Sequence, residues 1–239
     1  MKEVVIVSAV RTPIGSFMGA LSTVPATRLG AAAISGALTK IKLDPALVEE
    51  VLMGNVVSAG TGQAPARQAA IFAGIPDTVP CTTINKVCAS GMKTVMQAAQ
   101  AIALGDASII VAGGMENMSL IPHYLPMRTG TKFGPSTMID GMQKDGLVDV
   151  YDGNAMGVCA DACAEEYKFS REDQDKFSYW SQMKATQAQE NGRLAKEIIT
   201  VEIPQRKKGP ILFSKDEFVK PTTSLEVLGK LRAAFKKEG

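Results

Sequence analysis

Cys88 lies in the segment "INKVCASGMKTV", residues 84–95, where an apolar stretch typical of a β-strand gives way to a helical pattern. At the start of a helix, unpaired backbone N–H groups and the helix dipole favour a thiolate. The same N–H groups can stabilise a developing oxyanion. The three small residues after Cys88 would let a substrate approach closely, and Lys86 adds positive charge. Cys88 is therefore a candidate nucleophile.

The alternative is that Cys88 is an inert buried thiol, because cysteine is among the residue types most often buried. A nucleophile ordinarily needs a base beside it. The single histidine, His123, lies between Pro122 and Tyr124 in an irregular segment, where we interpret it as a surface or interface residue. The residues alone leave both interpretations of Cys88 open.

The other cysteines and the glycine-rich segments favour neither a metal nor a dinucleotide site. Cys159 and Cys163 are four residues apart, on one face of a helix, but no second cysteine pair accompanies them. We interpret them as structural side chains and predict no metal. Gly60 and Gly62 lack the GxGxxG spacing, so a dinucleotide site is not expected there.

Composition bounds the class of protein. The chain has 239 residues, of which 46% are apolar, and this is enough to bury a full core. Its formal net charge is +2. Scattered cationic residues predict no nucleic-acid surface. The first apolar run is too short for a secretory signal, and we expect no membrane span. The four cysteines in a chain with ordinary core content indicate a reducing, cytoplasmic setting.

Apolar strands and helical patterns alternate in the first half of the chain. We predict a βαβαβαβ unit with a parallel-rich layered sheet, since continuous apolar runs are typical of strands covered on both faces. Predicted strands cover residues 4–7, 50–54, 78–84 and 107–114. Predicted helices cover residues 27–40, a segment from Pro65 to Gly74, and an amphipathic segment from Cys88 to Gly105.

The pattern changes after Ser119 into a segment rich in proline and glycine, which indicates a domain boundary. A helix is predicted to start near Met156. A longer one follows Ser170, which forms a capping box with Asp173, and ends at Gly192. Short strands are predicted at residues 197–203 and 211–213. We therefore predict an α/β first domain at residues 1–118 and a mixed α/β second domain at residues 119–239.

Five segments resemble the thiolase family, in order along the whole chain: "VRTPIGSFMGAL", "GNVVSAGTGQAPARQAA", "INKVCASGMKTV", "GDASIIVAGGMENMS" and "LRAAF". The likeness is to the acetyl-CoA C-acetyltransferase type. It implies an incomplete thiolase N-terminal domain at residues 1–118 and a loop domain at residues 119–239 for coenzyme A binding and oligomer contacts. The C-terminal thiolase domain is expected to be absent.

The resemblance implies that Cys88 carries an acyl group as a thioester. The reaction would be the reversible Claisen condensation of two acetyl-CoA molecules to acetoacetyl-CoA, or thiolysis of a 3-ketoacyl-CoA, in fatty acid metabolism. Coenzyme A thioesters would be substrates, with no permanently bound cofactor. Positions matching the family place Leu147 and Met156 along the pantetheine and acyl pocket, and Lys220, Val227 and Phe235 near the nucleotide end.

The resemblance also implies a homo-oligomer, a dimer or tetramer, whose partners are acetyl-CoA, acetoacetyl-CoA and coenzyme A, without nucleic acid or membrane. Ala155 stands where acetoacetyl-type members often have histidine, and Lys220 and Val227 stand where arginine and serine are frequent. These departures bear on acyl-chain preference and coenzyme A affinity.

The family's second half supplies an asparagine segment, the histidine of a Gly-His-Pro motif and a second catalytic cysteine. These 239 residues contain none of them: His123 is the single histidine, and no cysteine follows Cys163. Negligible activity of the chain by itself is therefore expected. Two alternatives remain: a 3-ketoacyl-CoA thiolase of broader chain length, and a non-catalytic acyl-CoA-binding subunit completed by another polypeptide.

Overall fold

The computed structural model describes residues 2–237. Its helices and strands are, in chain order, α1 Ala26–Ile41, β1 Glu50–Gly54, α2 Pro65–Phe72, β2 Cys81–Ile84, α3 Ser90–Leu104, β3 Ile110–Gly114, β4 His123–Tyr124, β5 Ile139–Asp140, α4 Met156–Glu166, α5 Arg171–Glu190, β6 Val201–Ile203, β7 Ile211–Phe213 and α6 Leu225–Gly229. A π-helical turn at Gln143–Leu147 and short 3₁₀ turns at Pro45–Leu47, Met118–Leu120 and Leu194–Lys196 connect them.

The central sheet has the strand order β2-β1-β3, and all its pairs are parallel. Val51 and Met53 of β1 pack in a core cluster with residues of α1 and α2. Gly54 points to the opposite face, where it meets the start of α3, because alternate strand residues face opposite sides. The predicted layered α/β fold with a parallel sheet is therefore confirmed.

The predicted strand at residues 4–7 is wrong: the backbone there belongs to no strand, within the chain as described. Val5, Ile6 and Val7 are 67%, 76% and 69% exposed. An apolar run shows only a preference for the extended conformation, whereas a strand also needs a neighbour to accept and donate its hydrogen bonds. The sheet consequently has three strands, not four.

Helix α3 is confirmed, but its apolar stripe does not face the sheet. Its buried residues are Ser90, Thr94 and Ala98, whereas Met92 and Met96 are exposed. Helix α3 contacts both β1 and β3, and only small side chains allow the helix backbone to approach the strands so closely. Close packing therefore outweighs hydrophobicity in orienting this helix.

The elements of the second half largely follow the sequence prediction. Helix α4 starts at Met156, and α5 begins with the reciprocal capping box between Ser170 and Asp173. Strand β7 has its predicted bounds, whereas the strand predicted at residues 197–203 is shortened to Val201–Ile203. This shorter strand, β6, pairs in antiparallel fashion with β7. The domain division after residue 118 stays a prediction.

An ion pair joins the N-terminal loop to the second half of the chain. Asp216 accepts two hydrogen bonds from the Arg11 guanidinium, at 2.7 and 2.8 Å, and a third from the Ile14 N–H at 2.8 Å. The adjacent Glu217 accepts from the Ser16 N–H at 2.8 Å and from the Ala20 N–H. The hydrogen bond from Arg11 lowers the pKa of Asp216 below its ordinary value.

Replacing Asp216 by asparagine is expected to lower the free energy of unfolding at pH 7 by about 1 to 3 kcal/mol, because charge-assisted hydrogen bonds to Arg11 are weakened. A carboxyl group with a lowered folded-state pKa stabilises the fold above its unfolded-state pKa, about 4. That contribution disappears as the pH falls through the folded-state value. Urea unfolding of Asp216→Asn and the original chain at pH 7 and at acid pH measures this.

Glu226→Gln is the matched control, because its ion pair with Lys230 is exposed, at 79% and 72% of the two side chains. Such pairs contribute less than about 1 kcal/mol. Equal losses in the two variants, or a loss in Asp216→Asn that persists at acid pH, would contradict the role given to Asp216.

Candidate active site

Cys88 is exposed, two residues before the first residue of α3. The interpretation of Cys88 as a buried thiol is therefore wrong, and its role as a nucleophile stays a prediction. Across residues 2–237, the N–H of Cys88 has no hydrogen-bond acceptor. The thiol and an available backbone donor thus lie side by side at a helix start, where the helix dipole favours negative charge.

The turn before Cys88 is held in an unusual conformation. Val87 has φ of +48°, a region in which a β-branched residue is strained by about 1 to 3 kcal/mol. The Asn85 Oδ1 atom accepts from the Val87 N–H at 2.9 Å. The Ser90 hydroxyl donates to the Val87 carbonyl and accepts from the Lys86 N–H at 2.8 Å. These hydrogen bonds set the direction in which the chain enters Cys88.

Three glycines allow the start of α3 to lie against the ends of two strands. A Cβ atom on Gly54 would lie 2.7 Å from the Gly91 nitrogen, closer than van der Waals contact allows. A Cβ atom on Gly114 would lie 3.4 Å from the Gly91 Cα atom. The Thr94 hydroxyl also donates to the Gly113 carbonyl at 2.9 Å. The position of Cys88 relative to the sheet therefore depends on backbone-to-backbone packing.

Polar residues in the loops that follow β1 and β3 form a layer at the same edge of the sheet. Glu116 accepts from the Asn55 side-chain amide at 3.1 Å and from the Val56 N–H at 2.8 Å. Asn55 is almost fully buried and also donates to the Met115 carbonyl at 3.1 Å. Burial raises the pKa of Glu116 above its ordinary value.

Asn55 and Glu116 are not among the residues predicted from the sequence. A signal was available, because each residue lies within two positions of the last glycine of a predicted strand. The carboxyl ends of parallel strands meet at one edge of a sheet, where open α/β sheets bind ligands.

Three of the residues predicted to contact coenzyme A lie near the start of α4. The bridge between Val148 and Ala155 brings together the segments that contain Leu147 and Met156. The Phe235 ring packs directly against Gly157, leaving no room for a Cβ atom. Leu147, Met156 and Phe235 are all exposed.

The π-helical turn connects this group to the edge of the sheet that carries Cys88. A Cβ atom on Gly146 would lie 3.4 Å from Cγ2 of Val57, in the loop after β1. The same loop accepts a hydrogen bond from Asn85 through the Val56 carbonyl, at 2.9 Å. Leu147 therefore directly follows Gly146, which lies against the loop after β1, and that loop is hydrogen-bonded to the turn before Cys88.

Lys220 and Val227 lie elsewhere, beside α5. The Lys220 N–H donates to the Gln182 side chain at 2.8 Å, and its ammonium group lies 4.4 Å from the centre of the Phe218 ring. Val227 is an exposed residue of α6, and α6 contacts α5. A role for Lys220, Val227 or the Leu147 group in coenzyme A binding stays a prediction.

The other candidate residues lie on the surface. Cys159 and Cys163 are exposed on α4, so their interpretation as structural side chains of a core is wrong; α4 has no buried residue to form one. His123 is exposed in β4, opposite Asp140 of β5. Residues 2–237 contain no cluster of three potential metal ligands, and none of their helices is long and apolar enough to cross a membrane.

The family model described as "Thiolase, N-terminal domain" matches residues 4–239. The chain belongs to the thiolase family. Among curated relatives, it is 52% identical to "Acetyl-CoA acetyltransferase" of Cupriavidus necator and 51% identical to "Acetyl-CoA acetyltransferase 1" of Arabidopsis thaliana. It is 49% identical to "Probable acetyl-CoA acyltransferase" of Staphylococcus aureus.

Each of these matches covers all of this thiolase-family chain. The chain spans 61%, 58% and 61% of the lengths of the three relatives. The prediction of a thiolase-family N-terminal portion is therefore confirmed.

Gly54→Ala tests the close contact beneath Cys88. The added methyl group overlaps the Gly91 nitrogen and the Ser90 backbone, so we expect a loss of about 1 to 3 kcal/mol in the free energy of unfolding. Urea unfolding measures the loss. In the control, Gly209→Ala, the methyl group meets no atom within 4 Å, and the expected change is within about 0.5 kcal/mol. A Gly54→Ala chain as stable as the control would show that α3 does not depend on this contact.

Proposed function

We propose that this chain takes part in thiolase-type acyl transfer, with Cys88 as the residue that carries the acyl group. The observation that supports this most is the placement of Cys88: an exposed thiol, on a strained turn, at the start of α3 and at the carboxyl edge of a parallel sheet. The names of the relatives agree with this activity.

In the proposed first step, the Cys88 thiolate attacks the carbonyl carbon of acetyl-CoA. The carbonyl oxygen becomes an oxyanion, to which the Cys88 N–H can donate a hydrogen bond. When the tetrahedral intermediate collapses, the bond to the coenzyme A sulfur breaks and an acetyl thioester remains on Cys88. Coenzyme A leaves as a thiolate and takes a proton from solvent.

In the proposed second step, the carbanion of another acetyl-CoA attacks the carbonyl carbon of the acetyl thioester. The bond between that carbon and the Cys88 sulfur then breaks, which releases acetoacetyl-CoA and returns Cys88 as a thiolate; thiolysis is the reverse reaction. Forming the carbanion requires a base that removes an α-proton. The histidine and second cysteine that the family resemblance would supply are not among these residues: the single histidine, His123, is exposed in β4, and no cysteine follows Cys163. Condensation by residues 1–239 alone is therefore proposed to be negligible.

The proposed site for coenzyme A begins at the exposed Leu147, Met156 and Phe235. Their apolar surfaces suit the pantetheine and acyl parts of the substrate, and the cationic Lys220 and the nearby Val227 suit its nucleotide end. We further propose a homo-oligomer acting in the cytoplasm on coenzyme A thioesters in fatty acid metabolism.

Incubation with acetyl-CoA is expected to place one acetyl group on Cys88, because the first step requires only the thiolate and the donors at the helix start. Mass spectrometry of peptides from the digested chain locates the acetyl group. Cys88→Ala is expected to abolish the modification. Cys159→Ala, which removes an equally exposed thiol, is expected to leave it unchanged. An unmodified Cys88, or equal acetylation of Cys159, would refute the assignment.

Steady-state thiolysis of acetoacetyl-CoA by the isolated chain is expected to be negligible, since the chain lacks the Gly-His-Pro histidine and the second cysteine that the family resemblance leads us to expect. The measurement follows loss of acetoacetyl-CoA absorbance in the presence of coenzyme A. The same assay on a full-length relative provides the reference rate. Turnover by this chain that approaches the reference would contradict the proposal.

A further inference from the structure

We propose that Glu116 is a positioning residue for Cys88, acting through Val56 and Asn85. The inference rests on the proposed function, because it concerns how the acyl-carrying thiol is held. Glu116 does not contact Cys88; a chain of hydrogen bonds connects the two residues.

The first link joins Glu116 to the loop that follows β1. One carboxylate oxygen accepts from the Val56 N–H at 2.8 Å, and the other accepts from the buried Asn55 amide at 3.1 Å. A carboxylate accepts hydrogen bonds at both of its oxygens, whereas a glutamine of the same shape has an acceptor at one terminal atom and a donor at the other. Glu116 therefore holds the backbone at Val56 and the side chain of Asn55.

The second link joins that loop to the turn before Cys88. The Val56 carbonyl accepts from the Asn85 side-chain amide at 2.9 Å, and the Asn85 Oδ1 atom accepts from the Val87 N–H at 2.9 Å. The orientation of the Asn85 amide is therefore set at both ends. One end is a loop that Glu116 holds, and the other is the strained residue that directly precedes Cys88.

These hydrogen bonds hold Val87 in its strained conformation. A valine with φ of +48° relaxes to negative φ unless its surroundings prevent it. Such a change would turn the Cys88 side chain and its N–H away from the direction observed. Burial raises the pKa of Glu116, so the ionised carboxylate opposes folding. A buried carboxylate that lowers the stability of the fold is expected where the residue orients the backbone of the site.

Alkylation of Cys88 by iodoacetamide measures its position without requiring coenzyme A. Glu116→Gln keeps the shape but directs an amide N–H₂ group at N–H donors, and loses about one hydrogen bond, near 1 kcal/mol. We expect the rate constant for Cys88 at pH 7 to fall about 5-fold.

Glu49→Gln is the matched control. Glu49 also accepts a backbone N–H, from Ser108 at 3.1 Å, but just before β1, at the opposite edge of the sheet. Cys81 supplies an internal reference, because it is half-buried at the start of β2 and burial raises the pKa of its thiol. We expect Glu49→Gln to leave the Cys88 rate unchanged, and Glu116→Gln to leave the Cys81 rate unchanged. Peptide mass spectrometry separates the two cysteines.

The variant Asn85→Ser tests whether Glu116 acts on Cys88 through the hydrogen bonds of Asn85. Serine can still accept from the Val87 N–H, though more weakly, but its shorter side chain does not reach the Val56 carbonyl. Asn85→Ser is expected to slow alkylation of Cys88, and adding Glu116→Gln is expected to cause no further decrease, since both changes break one path.

An unchanged Cys88 rate in Glu116→Gln, an equal change at Cys81, or additive effects in the double variant would overturn the inference. If Glu116→Gln does not fold, Asn85→Ser alone decides, because an unchanged Cys88 rate in that variant removes the required link. Wild-type chain that is alkylated at Cys88 but not acetylated by acetyl-CoA would refute the proposed function. The positioning result would be unaffected.

Discussion

The contact between the start of α3 and the ends of β1 and β3 is the constraint on which the candidate site depends. Gly54, Gly91 and Gly114 meet there, and a side chain on Gly54 would collide with the backbone of Ser90 and Gly91. Because the backbones touch, the first turn of α3 has a single position relative to the sheet, and Cys88 precedes that turn directly. Ser90, Thr94 and Ala98 continue the close contact along the helix, which explains why small residues face the strands.

Polar side chains at the same edge of the sheet complete this arrangement. Glu116 and Asn55 follow β3 and β1, and Asn85 follows β2. Their hydrogen bonds run from the loop after β1 to the strained Val87. A parallel sheet brings all three loops to one edge, so residues distant in sequence act on a single turn. The glycines position the helix, and the polar residues orient the thiol.

Much of the fold could be predicted because its signals are local. Strand β1 and the capping box at Ser170 have the residue patterns that define such elements anywhere. The segment at residues 4–7 has an equally clear apolar pattern but forms no strand, since pairing depends on residues elsewhere in the chain. Within the site, Cys88 was identified from its neighbours in sequence. Glu116 was not, because its hydrogen-bond partners lie about 60 residues away.

The sequence by itself determined the family, the alternation of helices and strands, and the presence of a cysteine at a helix start, because these follow from residues adjacent in the chain. The tertiary structure alone decided that this cysteine is exposed, that α3 turns its small residues to the sheet, and that Glu116 connects to the turn at Val87. The reason is physical. Burial, close packing and hydrogen bonding between loops are properties of the assembled layers, and a local pattern specifies none of them.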